Sequence, residues 1–142
     1  MPTLEERIQD IEDRDAIREL TARYCHAVVE ADVDAIVELF CEDGAMVMGE
    51  TRNEGQDALR RSYGDALADL TPKPMIHNHV IELAGNTATG RCSVELRFVE
   101  NGEAFVASGH YDDQYRREGS AWKFARRDFT VYHWVPNSKG WS

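Results

Sequence analysis

Cysteine is scarce: Cys25, Cys41 and Cys92 are the only three among 142 residues. An odd count at such wide spacing argues against a disulfide scaffold and fits a reducing compartment. Basic residues are also few, with 16 Lys+Arg against 26 Asp+Glu and a formal net charge of −10. Phosphate contacts need a basic surface, so neither nucleic acid nor an anionic membrane is an expected partner. No apolar run approaches the ~18 residues of a membrane-spanning helix. Residues 1–6 lack the basic-then-apolar pattern of a secretory leader, so a cytoplasmic location is expected. Glycine-rich phosphate loops, HExxH, CxxC, Gly-x-Ser-x-Gly and aspartate-rich calcium loops are all missing. No cofactor is therefore expected.

Hydrophobic residues make up 42%, enough for a core, and the length fits one domain over 1–142. The charge is uneven. Residues 1–70 carry 18 acidic and 7 basic side chains, while 71–142 carry 8 and 9. That division suggests a solvated helical layer backed onto a near-neutral sheet.

The first half reads as helices. Thr3 and Glu6 have the spacing of a capping box. Leu4, Ile8 and Ile11 start an apolar stripe, Asp13 or Asp15 caps or bends the helix, and Ile17, Leu20, Tyr24, Val28 and Ala31 continue it. Asp32 reads as the next N-cap, before Val33, Ile36, Val37 and Phe40 on one face, with Gly44 ending that region. Ala45 to Met48 reads as a short strand. A third helix is expected over Gln56 to Leu70, with Leu59, Tyr63, Ala66 and Leu67 inward, closed by Pro72 and Pro74.

The second half reads as antiparallel sheet. Strands are expected over Met75–Leu83, Ala88–Val99, Phe105–Arg116 and Ala121–His133. Asn101-Gly102 is a strong hairpin signal, because both residues tolerate positive φ. Residues 136–142 show little periodicity and read as a tail. Three helices followed by a curved antiparallel sheet make an α+β domain able to enclose a cone-shaped cavity.

His77 and His79, two apart in a strand, would project from one face. With His110 on a neighbouring strand they would make a three-ligand zinc site for a metal-assisted hydrolase. Polar side chains satisfied by neighbours, or a pocket role without metal, are the alternatives, and no metal is the reading adopted.

Residues 24–44, from Tyr24-Cys25-His26 through Asp32-Val33-Asp34 to Glu42-Asp43-Gly44, resemble the opening of the polyketide-cyclase-like (SnoaL-like) branch of the nuclear transport factor two-like superfamily. So do Ile81-Glu82-Leu83 with Gly85-Asn86-Thr87, and Tyr115-Arg116-Arg117 with Trp122-Lys123-Phe124. The resemblance spans residues 5–135. It implies a cystatin-like α+β barrel, commonly a homodimer, with a deep pocket between the helices and the sheet. Ketosteroid isomerases, scytalone dehydratase, dehydrochlorinases and polyketide cyclases are relatives. They work without cofactor on small apolar or aromatic molecules, and other members are non-catalytic.

By this resemblance Tyr24 matches the oxyanion-binding tyrosine of the isomerases. Their base aspartate falls at Met48 and their second acid near Tyr111. The aspartate of the dehydratase dyad falls at Val29, and the dehydratase histidine at His79, with His77 the alternative. The dehydratase's second histidine falls near Phe98 and is lost. Without acids at Met48 and Val29, chemistry needs another arrangement.

The catalytic candidates are therefore His79 or His77 as base, Tyr24 and Tyr111 as hydrogen-bond donors, and Asp113 as a replacement acid if it reaches a histidine. Met46, Met48, Arg127 and Phe129 are the substrate-binding candidates, with Arg127 suited to a carboxylate or phenolate. The expected function is a cofactor-independent lyase or isomerase acting on a small aromatic or polycyclic compound. The alternative is a non-catalytic binding or interaction protein.

Overall fold

The computed structural model describes residues 1–140. In order, the elements are α1 (Leu4–Val29), α2 (Val33–Glu38), β1 (Phe40–Met48), β2 (Thr51–Glu54), α3 (Gln56–Leu70), β3 (Lys73–Ala84), β4 (Thr87–Glu100), β5 (Glu103–Glu118) and β6 (Ala121–Pro136). A 3-10 turn covers Asn137–Lys139. The expected tail thus begins inside β6, and residues 141–142 lie outside the described residues. Among the described residues no helix is long and apolar enough to cross a membrane.

Helix α1 opens on the predicted capping box. Thr3 N donates to Glu6 Oε2 at 2.7 Å, and Glu6 N donates to Thr3 Oγ1 at 3.1 Å. Neither Asp13 nor Asp15 interrupts the helix. Asp13 is buried and accepts from Arg117 Nη2 at 2.8 Å and Trp122 Nε1 at 3.1 Å, which ties the helix to the sheet. Leu4, Ile8 and Ile11 overhang the domain and stay exposed, because the helix meets the core only from Asp13 onward. The helix stops where Ala31 turns left-handed at φ 56°. Asp32 then caps α2 by accepting from Ala35 N at 3.0 Å.

Phe40 opens β1 rather than closing α2, so the first strand starts well before the expected Ala45. Gly44 lies inside that strand, at its irregularity. A Cβ there would stand 2.9 Å from the Cys41 carbonyl oxygen and 3.0 Å from that of Phe124. The glycine lets the strand kink rather than ending a helix. Strand β2 is an element the sequence pattern does not reveal, since its four residues are polar and largely exposed.

The six strands form one open, curved sheet in the order β2-β1-β6-β5-β4-β3. All pairs are antiparallel except β1–β6, which is parallel, so the sheet is mixed. Cys92, Val94, Leu96 and Phe98 alternate inward along β4 as their spacing predicts. Asn101 and Gly102 make the hairpin at φ 50° and 76°. The helices pack on the inner face, and Tyr24, Phe40, Tyr63, Tyr111 and Phe124 meet there edge to face or tilted. Helical layer and curved sheet make the expected α+β cone.

Candidate functional site

A cavity of about 170 Å³ lies between α1, α3 and the inner face of the sheet. Its walls are largely apolar, with Tyr24 and Val28 from α1, Met46 from β1, Tyr111 from β5, and Phe129 and Trp134 from β6. Met48, at 43% exposure, lines it where it opens to solvent. The hydroxyls of Tyr24 and Tyr63 meet in its wall, 2.7 Å apart. One phenol donates to the other, and the Tyr111 hydroxyl is a further hydrogen-bonding neighbour of Tyr24. Burial raises the pKa of Tyr24, partly offset by the positive charge of Arg127 and the hydrogen bond from Tyr63. Burial and the neighbouring Tyr24 push Tyr63 well above the ordinary phenol value. Both are therefore neutral donors at neutral pH.

Arg127 lies against the Tyr24 and Tyr111 rings, outside the cavity lining. It is fully buried, with its guanidinium carbon 3.7 Å from the Tyr111 centroid and 4.4 Å from those of Tyr24 and Phe124. It donates to both Asp113 oxygens, through Nε at 2.9 Å and Nη2 at 3.0 Å. Burial works against the Arg127 charge, but the Asp113 carboxylate outweighs it and holds the pKa well above the usual value. Nη1 has no hydrogen-bond partner.

The chain continues to a histidine. Tyr115 donates to Asp113 Oδ2 at 2.9 Å, and its oxygen lies 3.0 Å from His79 Nε2. Gly90 makes room for this tyrosine, since a Cβ there would stand 3.0 Å from Tyr115 Cε2 and 3.1 Å from its hydroxyl. Burial lowers the His79 pKa below 6.5. The Asp113 carboxylate opposes this, and Arg127 and Arg18 reinforce it. His79 is a neutral imidazole at neutral pH.

The structure separates the candidate residues into groups. Tyr24, Tyr111, Met46, Met48 and Phe129 line the cavity. His79, Asp113 and Arg127 join one buried network beside it. His77 belongs to neither. Between Ile76 and His79 the pairing of β3 with β4 slips by one residue. That bulge breaks the two-residue alternation, so His79 turns inward while His77 stays exposed, 3.7 Å from Glu95. The expectation that the two share a face fails for this reason.

His110 alternates with the inward Tyr111 and pairs instead with Tyr132 and Asp112. The three imidazoles do not converge. Among the described residues no group of three or more His, Cys, Asp or Glu is placed to hold a metal ion. Arg127, engaged bidentately by Asp113, does not stand in the cavity wall as a carboxylate clamp. Two residues with a place here were not singled out as site candidates. The helical spacing of Tyr63 marks it only as core, and Tyr115 shares the strand parity of Tyr111 and Asp113, the one signal that points to it.

Helices closing a curved mixed sheet over an apolar cavity define the class of α+β cones. Within it, the chain belongs to the SnoaL-like domain family, whose model matches residues 9–128. No curated protein matches the chain. Among solved structures it is similar to a protein of Novosphingobium aromaticivorans provisionally described as an aromatic ring hydroxylase, at 28% identity and TM-score 0.83, over 91% of this chain and 96% of that one. A provisionally described scytalone dehydratase of the same organism is 18% identical, with TM-score 0.83 over 89% of each chain. A hexachlorocyclohexane dehydrochlorinase is 16% identical, with TM-score 0.84 over 92% of each chain.

Proposed function

We propose that this protein is a cofactor-independent lyase or isomerase acting on a small, largely apolar molecule that carries at least one oxygen. The observation that carries this reading is the Tyr24–Tyr63 hydroxyl pair set in an otherwise apolar cavity wall. An apolar site strengthens a hydrogen bond to charge developing on oxygen, and one such donor is worth on the order of 2.7–4 kcal/mol of barrier. His79, neutral at neutral pH, supplies a base. His79 does not line the cavity; it is half-buried on β3, opposite Cys92 of β4. The similarity to a dehydratase and a dehydrochlorinase, both named for eliminations, supports the same class of reaction.

Nitrobenzisoxazole tests the reading without knowledge of the natural substrate. Removal of its ring proton by a base breaks the N–O bond, and the electron pair ends on a phenolate oxygen. The protein is expected to accelerate this opening beyond free imidazole at the same concentration, and the variants H79Q and Y24F to lose the acceleration. No acceleration, or acceleration unchanged in both variants, overturns the reading.

One observation favours a second reading, a binding protein without turnover: neither His79 nor Asp113 lines the cavity. On that reading naphthol binds in the cavity, Y24F weakens it, and nitrobenzisoxazole is not opened.

A further inference from the structure

Tyr115 does not line the apolar cavity, yet it is almost completely buried and its hydroxyl sits between two functional groups. A phenol owns a single proton. Asp113, ion-paired with Arg127 through two hydrogen bonds, is a carboxylate and only accepts. The Tyr115 proton therefore goes to Asp113 Oδ2 at 2.9 Å. The phenol oxygen is left as an acceptor for its other neighbour, His79 Nε2 at 3.0 Å. That nitrogen must carry hydrogen, which leaves the lone pair on Nδ1, an atom with no hydrogen bond among the described residues.

We propose that Tyr115 is a positioning residue that fixes His79 in the Nε2–H tautomer, making Nδ1 the atom that takes the substrate's proton. The proposal rests on the reading of His79 as base and adds the atom, the tautomer and the residue that sets them. The groups facing the imidazole are Tyr115 and Asp113 from β5, Arg127 from β6 and Arg18 from α1. Asp113 alone among them favours imidazolium, and it acts through the phenol. In the reaction a carbon-bound proton moves to Nδ1 and its electron pair enters the new multiple bond as the leaving group departs with its own pair. The imidazolium then holds Nε2–H against Tyr115 until water removes the Nδ1 proton.

The test is nitrogen-15 NMR of the histidine rings in the full chain, with the spectrum of H79Q assigning His79. The expected result is a single tautomer with a slowly exchanging Nε2–H. In Y115F that proton should exchange fast and the two nitrogens should average toward the solution mixture. Opening of nitrobenzisoxazole should slow about 100-fold in Y115F, as for a misplaced reacting group. A hydrogen on Nδ1, or a Y115F spectrum like the parent's, overturns the proposal. Should Y115F fail to fold, the parent protein decides by a nuclear Overhauser contact between Nε2–H and the Tyr115 ring, whose absence overturns it. Turnover lost in H79Q with the wrong tautomer removes this proposal alone. Turnover untouched by H79Q removes it together with the reading of His79 as base.

Discussion

The cavity and the buried network share the rings of Tyr24 and Tyr111, but they hold polar groups in opposite ways. In the cavity the Tyr24 and Tyr63 phenols are neutral and bonded to each other, with Tyr111 as a further hydrogen-bonding neighbour of Tyr24 and no charge among them. In the network the charges are real and almost saturated, because Arg127 and Asp113 spend four of their hydrogen-bonding atoms on one another. The difference follows from solvation. A hydroxyl pair loses little when a ligand replaces water, whereas a guanidinium with no exposure is tolerable only while its carboxylate stays in place. One region is built to exchange partners and the other to keep them.

The largest effect should therefore come from breaking the ion pair. Asp113→Ala strands the Arg127 charge among aromatic rings and is expected to cost about 3–5 kcal/mol in urea unfolding. The double variant D113L/R127M removes both charges and should be markedly more stable than D113A. If D113A proves as mild as a surface change, the network is not closed to water and the contrast with the cavity fails.

Tyr24→Phe acts on the other side of the contrast. It leaves the Tyr63 hydroxyl without its partner and should lower stability by about 1–2 kcal/mol. Its larger consequence is on rate, an expected fall of about 100- to 1,000-fold in kcat for nitrobenzisoxazole. A stability loss without a rate loss would make the phenol pair structural.

Gly90→Ala probes the join between β4 and the network. The added methyl meets Tyr115 at 3.0–3.1 Å and the Val80 carbonyl oxygen at 2.9 Å, so the ring or the strand must move. Overpacking of this kind costs about 1–3 kcal/mol. The same variant should disturb the His79 tautomer while leaving naphthol binding in the cavity unchanged, which separates the two regions directly.

The capping box, the α3 helix, the Asn101-Gly102 hairpin and the inward face of β4 were legible in the sequence because each depends on residues a few positions apart. What was not legible depends on partners far along the chain. Phe40 reads as helix by spacing, but it becomes strand by pairing in parallel with β6 beside Phe124. His77 and His79 share a face in any regular strand, and only the pairing with Cys92 and Val94 reveals the bulge that parts them. Tyr24 and Tyr111 were found through the resemblance, which marks single positions. Tyr115 and Tyr63 escaped because their roles lie in a hydrogen bond to another candidate.

A pH series distinguishes the regions more gently. The His79 pKa lies below 6.5 in the fold because burial disfavours its charge. Above 6.5 the imidazole is neutral in both folded and unfolded chains and contributes nothing. As pH falls through 6.5 the unfolded chain takes up the proton first, so stability declines until the folded imidazole titrates as well. Asp13 behaves separately. Burial opposes its ionisation, but bonds from Arg117, Gln9 and Trp122 overcome this and hold its pKa below 3.8. Its contribution is intact above 3.8 and is lost as pH falls through the folded value. H79Q should therefore flatten the stability curve just below 6.5 and leave the steeper acid limb alone. Turnover of nitrobenzisoxazole should rise with pH through a value below 6.5, while naphthol binding stays level over that range.

The smallest expected effect belongs to His77, and it tests the bulge on which the separation of the two imidazoles depends. On the outer face His77 is exposed and only 3.7 Å from a Glu95 oxygen, a contact that solvent screens. His77→Ala should change stability by no more than about 0.5 kcal/mol and leave turnover as it was. A regular β3 would put both imidazoles on one face, so the same substitution would then disturb the network around Tyr115 along with His79. A rate loss in H77A comparable to that of H79Q would mean that β3 pairs without the slip and that the base has been assigned to the wrong histidine.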